Sequence, residues 1–393
     1  MHSLWKEYLH MKPYHFQETA IENYKTWLDT PEPIATIILP MGLGKTYTGV
    51  KCVAVHPEKK YLWVAHSTEL IDQALEVLTQ ELNPEVKITT EIAERKGKLD
   101  SQVVVASVQT LVRDRAHLKG WVPDVIFIDE YHHFSEDNVQ YRSLRKRWPK
   151  AKIVGLSATL WRNDQTPIPL GTILVHMDIY QAIEEGYLVE PIFEHISPYQ
   201  LKNLGQLSWS EMLNPSAITD ELMVKRIVKA IKEEGRKGIL FASSTEHARS
   251  LASMLENQVR VGQVFYDTPT KIRNQIMTQM KNQELDVLVN FMIGVEGLNI
   301  PHLGFVAILR DLDSLNIFQQ MGGRGLRKFD GKENCLIFSS NKYSKADLKA
   351  DLEDVNYLNK TVSIFGNNES VVKIMNKTVK PILTGVLNKL IKF

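Results

Sequence analysis

One stretch of the chain, residues 33–46, restricts the possible folds more than any other. It reads Pro33-Ile34-Ala35-Thr36-Ile37-Ile38-Leu39-Pro40-Met41-Gly42-Leu43-Gly44-Lys45-Thr46. The β-branched and apolar run predicts a buried parallel strand, and the glycines after it lead into a segment that can be helical. This order is typical of a phosphate-binding loop, in which backbone N–H groups and a helix N-terminus face the phosphates.

The loop therefore predicts a nucleotide site in which the backbone and the individual side chains have separate roles. Its backbone cradle would be formed by Met41, Gly42, Leu43 and Gly44. Lys45 would reach the β and γ phosphates, and the Thr46 hydroxyl would hold Mg²⁺. The usual pattern has a glycine five residues before Gly44, where this chain has Leu39.

Length, charge and cysteine content exclude several classes of protein. With 393 residues the chain can form two domains, each with its own core. Its formal net charge of +1 means that any nucleic acid must be held by a local groove rather than by a general positive field. Cys52 and Cys335 form no metal-binding or disulfide pattern. The N-terminus lacks the apolar core of a signal peptide, and no apolar run approaches the ~18 residues of a membrane span, so a cytoplasmic protein without membrane contact is predicted.

Strand-like and helix-like segments alternate after the loop, which predicts a parallel sheet covered by helices. The strand-like segments are residues 61–65, 103–106, 124–130 and 152–156. Ligands bind such sheets at the carboxyl ends of the strands. The phosphate loop, Asp129-Glu130 and Ser157-Ala158-Thr159 all follow strands, so they are expected to meet at one edge.

A second series of alternating segments begins near Gly238, after a proline-rich stretch of weak periodicity. The predicted fold class is α/β, with two tandem lobes, each a mostly parallel sheet flanked by helices, and a short helical C-terminal tail. The predicted divisions are an N-terminal nucleotide-binding domain at 1–190, a connector at 191–225, a second domain at 226–343 and the tail at 344–393.

Two neighbouring carboxylates are placed for catalysis at the end of a strand. Asp129 follows four apolar residues and would hold Mg²⁺ together with Thr46. Glu130 would orient or deprotonate the attacking water. An Asp-Glu pair at a strand end can also cap a helix, but its position downstream of a phosphate loop favours catalysis. His132 and His133 could form a metal pair, although a network that couples the nucleotide site to neighbouring elements is favoured for His132.

A basic segment in the second half, Gln319-Gln320-Met321-Gly322-Gly323-Arg324-Gly325-Leu326-Arg327, supplies candidate partners for phosphate. The spacing of Gln320, Arg324 and Arg327 predicts that they share one face of a helix. If that face closes over the phosphates, the arginines would stabilise the transition state. A solvated basic helix is the alternative, but Gly322-Gly323 would weaken a helix and indicates a close approach of another segment.

Upstream of the loop, Tyr14-His15-Phe16-Gln17 is a candidate base-binding segment. Gln17 can form two hydrogen bonds to adenine, and Tyr14 or Phe16 can stack on the base. A core phenylalanine beside a surface glutamine explains the same residues equally well.

Together these motifs resemble superfamily-2 helicases and translocases of the DExH type, which have two RecA-like lobes. The resemblance is carried, in chain order, by Gln17, Gly42 to Thr46, Ala65 to Leu70, Ala106 to Leu111, Asp129 to His132, Ser157 to Thr159, Leu240 to Ser244, Gly294 to Pro301 and Gln320 to Arg327. The sequences around Asp129 and Ser157 are most similar to restriction-enzyme motors and to phage branch-migration and recombination helicases.

The resemblance implies further site residues and ligands. ATP and Mg²⁺ would be the cofactors, with Glu296, Gly297 and Asn299 also at the nucleotide and with Ser157 and Thr159 coupling it to the rest of the protein. The implied nucleic-acid contacts, mostly to phosphates, are Ser67, Ser107, Gln109, Thr110 and Ser243.

The implied activity is ATP-dependent movement along DNA, single-stranded or branched, in a bacterium or a phage-infected cell. The motifs leave two alternatives open, an RNA helicase and an ATP-dependent clamp that switches shape without unwinding. The clamp would act with a protein partner that supplies specificity.

Overall fold

Two parallel β-sheets, each covered by helices, form two lobes in the computed structural model. The structure describes residues 12–92, 95–111, 118–133, 139–160, 162, 168–196, 215–291, 300–310 and 315–340. The predicted fold class of two tandem α/β lobes is confirmed. The predicted helical tail lies outside the described residues.

The first lobe is built on a seven-stranded sheet in which all described pairings are parallel. Its strands are β1 (Ile34–Ile38), β2 (Tyr61–Ala65), β3 (Ile88–Glu91), β4 (Val103–Ser107), β5 (Val125–Ile128), β6 (Lys152–Ser157) and β7 (Thr172–His176). Their order across the sheet is β3-β4-β2-β5-β6-β1-β7. The sequence patterns missed β3 and β7, which are the two edge strands and the less buried ones.

Helices cover both faces of this sheet. They are α1 (His15–Leu28), α2 (Lys45–Ala54), α3 (Thr68–Glu81), α4 (Val108–Leu111), α5 (Val139–Arg147) and α6 (Ile179–Glu184). Along β4, Val103 and Val105 enter the core on one face, while Val104 and Ala106 enter the core on the other. This two-sided burial explains why the strand reads as a continuous apolar run.

The second lobe has a six-stranded sheet, also parallel in its described pairings. Its strands are β8 (Glu190–His195), β9 (Gly238–Ala242), β10 (Val261–Val264), β11 (Val287–Asn290), β12 (Phe305–Leu309) and β13 (Asn334–Ser339), in the order β10-β11-β9-β12-β13-β8. Its helices are α7 (Pro215–Lys232), α8 (Thr245–Glu256), α9 (Thr270–Lys281) and α10 (Leu315–Gly323).

Both ends of the connector predicted at residues 191–225 belong to the second lobe. Strand β8 pairs with β13 along its whole length, so residues 191–195 belong to the second sheet. Helix α7 begins at Pro215 and also contributes to the core of the second lobe through Met223 and Val224. The sequence patterns do not predict this strand because prolines at 191 and 198 weaken the signal for a strand. An edge strand tolerates proline because one of its sides has no hydrogen-bonded neighbouring strand.

Strand order explains how distant motifs meet in the first lobe. Strands β5, β6 and β1 are neighbours, with Ile128 beside Gly155 and Ile38 beside Ser157. Their carboxyl ends carry Asp129, Ser157 and the phosphate loop respectively. None of the helices in the described part of the chain combines the length and hydrophobicity that a membrane span requires.

Candidate active site

The loop between β1 and α2 has the backbone conformation that phosphate binding requires. Gly42 and Gly44 have φ values of +95° and +73°, in the region that L side chains rarely adopt. Helix α2 begins immediately afterwards at Lys45. Leu39 is fully buried, and its backbone N–H donates to the Ser157 carbonyl at 3.0 Å. The side chain that departs from the usual pattern is therefore a core residue at the end of β1.

The carboxylates Asp129 and Glu130 follow β5 in a strained turn. The backbone N–H of Glu130 donates to Asp129 Oδ1 at 2.9 Å. Glu130 has a φ of +48°, although it is not a glycine, and both carboxylates are buried. Such a conformation costs about 1–3 kcal/mol and is found mainly at functional sites. The fold thus holds Glu130 in an unfavourable backbone geometry that turns it away from the strand.

Lys45 shares this buried region with the two carboxylates. Burial lowers the pKa of Lys45 from its ordinary value, while the charges of Glu130 and Asp129 oppose that effect. Burial and the neighbouring Glu130 raise the pKa of Asp129 to about 7, against the favourable charge of Lys45. Opposite charges must therefore lie close together in a region from which water is excluded.

The donor set near Asp129 fits a divalent cation. Asp129 Oδ2 is buried and has no hydrogen-bond partner among the described residues. A buried carboxylate oxygen without a partner is unfavourable, and a hard cation such as Mg²⁺ prefers oxygen ligands of this kind. Thr46, in the first turn of α2, supplies a second oxygen in the sequence pattern. Mg²⁺ coordination by Thr46 and Asp129 remains a prediction that this orphaned oxygen favours.

His132 lies between the Glu130 carboxylate of one lobe and a glutamine of the other. Its Nδ1 lies 3.4 Å from Glu130 Oε2, and its Nε2 lies 3.2 Å from the Gln320 side-chain nitrogen. With the Gln320 amide nitrogen as donor, His132 Nε2 is the acceptor, and a neutral ring then carries its proton on Nδ1, on the side of Glu130. All three side chains are buried. A coupling role for His132 remains a prediction.

The segment of the second lobe that faces the phosphate loop does not form the single helix face that the spacing predicts. Helix α10 ends at Gly323, Arg324 begins a 3₁₀ turn that spans Arg324–Leu326, and Arg327 follows in extended backbone. Gln320 and the two arginines therefore do not share one helix face, and that prediction is wrong. At Gly323 an added Cβ would lie 3.1 Å from the Met41 Cβ, so the glycine allows the phosphate loop to approach closely.

Both arginines nevertheless face the first lobe. Arg324 is only 1% exposed, and its charge lowers the pKa of Lys45, as does that of Arg327. A Cβ at Gly42 would lie 2.7 Å from Arg327 Cγ, so the stem of Arg327 rests on the phosphate loop. Burial lowers the pKa of Arg327 to about 10, which leaves its guanidinium charged at neutral pH.

Ser157 and Thr159 form a compact turn beside the loop. Ser157 Oγ donates to the Thr159 carbonyl at 2.7 Å and accepts from the Thr159 N–H at 3.2 Å. Since the Ser157 carbonyl also accepts from Leu39, the turn is hydrogen-bonded to the start of the phosphate loop. A coupling role for Ser157 and Thr159 remains a prediction.

The base-binding candidates cluster at the N-terminus of α1. Gln17 is buried; its side-chain oxygen accepts from the Tyr14 N–H at 3.0 Å, and its nitrogen donates to the Leu43 carbonyl at 3.1 Å. Tyr187, which no sequence pattern indicated, packs edge-on against both Tyr14 and Phe16 at 4.9 Å. Phe16 is buried, whereas Tyr14 is 42% exposed and is the aromatic ring available for stacking. Gln17 therefore ties α1 to the phosphate loop, and its contact with adenine remains a prediction.

The predicted nucleic-acid contacts fall into exposed and buried groups. Gln109 is exposed and donates to the His66 carbonyl at 3.0 Å, which places it beside Ser67. Ser107 and Thr110 are buried and hydrogen-bond each other at 2.7 Å. Ser243 is exposed in the second lobe and bonds His247 at 2.7 Å. Ser67 caps α3 by accepting from the Leu70 N–H. Glu296, Gly297 and Asn299 lie outside the described residues.

A second contact between the lobes was not indicated by the sequence. Arg273 of α9 donates to Glu69, in the first turn of α3, at 3.1 Å. Glu69 follows Ser67 by two residues. The first turn of α3, which Ser67 caps, therefore faces the second lobe.

The fold and site define a class of protein, a two-lobed α/β protein in which residues of both lobes meet at a glycine-rich loop typical of phosphate binding. Comparison with known families makes this assignment specific. Residues 10–162 match the family model described as "Type III restriction enzyme, res subunit", and residues 221–329 match "Helicase conserved C-terminal domain". The chain belongs to the superfamily-2 helicases and is related to restriction-enzyme motors and viral helicases.

Individual proteins show the same relationship. The chain is 28% identical over 301 residues to the Saccharomyces cerevisiae protein named "Putative ATP-dependent helicase IRC3", covering 71% of this chain and 42% of the relative. The chain spans about half the length of the curated relatives it matches.

Solved structures share the two-lobed fold. The restriction-modification enzyme LlaBIII bound to DNA superposes with a TM-score of 0.61 at 16% identity, over 86% of this chain and 28% of the enzyme. Saccharomyces cerevisiae Dbp5 bound to RNA and ADP BeF3 gives 0.61 at 18% identity, over 95% of both chains.

Proposed function

We propose that this protein is a nucleic-acid-stimulated ATP hydrolase that uses ATP to move along DNA. The observation that carries the proposal is the meeting of the two lobes at the phosphate loop. Gln320 of the second lobe contacts His132 of the first at 3.2 Å, and Arg327 lies against Gly42. Because each lobe holds only part of the site, hydrolysis would depend on their relative position.

The residues of the first lobe would bind the triphosphate and activate water. Lys45 would bind the β and γ phosphates, and Glu130 would accept a proton from the attacking water. Mg²⁺, held by Thr46 and Asp129, would neutralise charge on the phosphates. The strained backbone of Glu130 would keep its carboxylate directed at the water.

The second lobe would complete the site only when the cleft is closed. Arg324 and Arg327 would stabilise the charge that develops on the transferred phosphoryl group, an effect of about 10³–10⁵ in rate for an arginine finger. Gln320 would report closure to Glu130 through His132. Hydrolysis and product release would then reopen the cleft and move the strand.

One comparison supports DNA as the substrate, because the family model that matches the first lobe describes a restriction-enzyme subunit. The structural neighbour LlaBIII, which shares the fold, is bound to DNA. Dbp5, which has the same fold, is bound to RNA, so fold alone does not choose between them. Gln109 and Ser243, the exposed candidates, carry polar groups suited to phosphate oxygens, which predicts sequence-independent binding.

The decisive experiment is an ATPase assay with single-stranded DNA, duplex DNA, forked DNA and RNA, compared at one salt concentration. Stimulation by DNA above that by RNA is expected, together with loss of hydrolysis in Lys45→Ala. Equal activity of wild type and Lys45→Ala would refute the assignment of the phosphate loop. Stimulation by RNA alone would refute the DNA assignment but retain the hydrolase, and a strand-displacement assay would then separate a helicase from a clamp.

A further inference from the structure

Lys332 makes an unusual set of contacts outside the sequence motifs. It lies in the turn between Arg327 and β13, and its ammonium donates to three backbone carbonyls. These belong to Gly325 at 2.5 Å, Arg327 at 2.9 Å and Pro301 at 3.1 Å. An ammonium has three N–H groups, so this arrangement uses all of its donors.

Two of these carbonyls belong to the segment that carries the arginines. Gly325 follows Arg324 directly, and the third carbonyl, from Pro301, precedes β12. The 3₁₀ turn at Arg324–Leu326 has a glycine at its centre, and an added Cβ there would lie 2.4 Å from Cys335 Sγ. The turn is thus packed against β13 on one side and held by Lys332 through its carbonyls.

We propose that Lys332 is a positioning residue, which fixes the turn that carries Arg324 and Arg327 so that both guanidiniums face the phosphate loop. This inference rests on the proposed function, because the arginines act on a bound triphosphate. Lys332 itself touches neither the loop nor the carboxylates; it acts through the backbone on either side of Leu326.

The surroundings of Lys332 make its charge sensitive to alkaline pH. The charged or titratable groups that face it are the guanidiniums of Arg327 and Arg236, the Cys335 thiol and the His302 imidazole. Burial, aided by the two guanidiniums, lowers the pKa of Lys332 to about 8. Below that pH the ammonium holds all three carbonyls. Above it a neutral amine has only two N–H groups, so one carbonyl loses its donor.

Lys152 provides a matched control elsewhere in the fold. Its ammonium also donates to three carbonyls, those of Trp27, Leu28 and Thr30, at the C-terminal end of α1. Lys152→Met therefore removes an equivalent set of contacts without touching the arginine turn. A fall in kcat that occurs in Lys332→Met but not in Lys152→Met is therefore an effect on turnover and not a general loss of stability.

The test compares Lys332→Met, Lys332→Arg and Lys152→Met with the wild type in the intact chain. We expect kcat of Lys332→Met to fall by about 10- to 100-fold, as for a small misplacement of a catalytic group, with KM for ATP within about threefold. Lys332→Arg should restore most of the activity. Wild-type kcat should fall by up to about tenfold from pH 7 to pH 9, while Lys332→Arg stays level because arginine remains charged.

Three results would overturn the inference: an unchanged kcat in Lys332→Met, an equal loss in Lys152→Met, or the same alkaline decline in Lys332→Arg as in wild type. If Lys332→Met does not fold, the pH profiles of wild type and Lys332→Arg decide the matter.

Hydrogen exchange separates this inference from the proposed function. Amides 324–327 should exchange faster in Lys332→Met than in wild type. Unchanged exchange would refute the proposal that Lys332 fixes this turn. A wild type without ATPase activity would instead refute the proposed function and leave exchange as the measure of Lys332.

Discussion

The contact between Gln320 and His132 gives the sharpest test of the two-lobed site. It joins the lobes at 3.2 Å, both residues are buried, and His132 Nδ1 lies 3.4 Å from Glu130 Oε2. Replacing Gln320 by alanine removes the hydrogen-bond donor to His132 Nε2. That hydrogen bond then no longer fixes the tautomer of the His132 ring. Replacing His132 by alanine removes that contact and the contact with Glu130 as well.

The expected magnitude follows from the character of the bond. A neutral buried hydrogen bond contributes about 0.5–1.5 kcal/mol, which corresponds to roughly 2- to 13-fold in turnover. Gln320→Ala should fall in this range, and His132→Ala should lose more because it also affects Glu130. In the double variant the shared contact is lost only once, so its loss should be smaller than the product of the single losses by roughly the same 2- to 13-fold.

The assay is steady-state ATP hydrolysis at saturating nucleic acid for wild type, both single variants and the double variant. His195→Ala and Gln279→Ala, which change exposed residues of the second lobe, serve as controls for the loss of an imidazole and an amide. If the two losses multiply within about 1.7-fold, the residues act independently and the proposed coupling is wrong.

Three further predictions concern the groups around the phosphates. Glu130→Gln should bind ATP within about threefold of wild type while turnover falls by at least about 10²-fold, as measured by nucleotide titration and phosphate release; loss of binding would contradict the role as base. Arg324→Ala should lower turnover by about 10³-fold or more with little change in nucleotide affinity, and an unchanged turnover number would exclude the finger. Asp129→Asn should raise the Tm of the nucleotide-free protein by a few °C near pH 8, because burial raises the pKa of Asp129 to about 7 and its charged form is disfavoured there.

The last prediction has a defined direction with pH. The folded pKa of Asp129 lies above its unfolded value, so the folded state binds the proton more tightly and wild type gains stability as pH falls through about 7. The difference in Tm between Asp129→Asn and wild type should therefore shrink near pH 6. If this difference in Tm does not change with pH, folding does not raise the pKa of Asp129 and the reasoning is wrong.

The sequence by itself determined where the candidate site of the first lobe lies. The phosphate loop lies between a buried strand and a helix because the apolar run Ile34–Ile38 favours a strand and the glycines at 42 and 44 permit the positive φ of the turn. The alternation of strands and helices also fixed a parallel sheet, whose carboxyl edge must carry the residues that follow each strand. Asp129, Ser157 and the loop were predictable as neighbours for this reason.

Tertiary packing decided the features that local patterns do not encode. Helix α10 gives way to a 3₁₀ turn after Gly323, where Met41 of the other lobe lies close, and the spacing of residues along a helix carries no information about such a distant segment. Strand β8, with its proline, is stable only as the edge partner of β13. The three carbonyls at Lys332 come from residues up to 31 positions away, so only the folded chain brings them within reach of one ammonium.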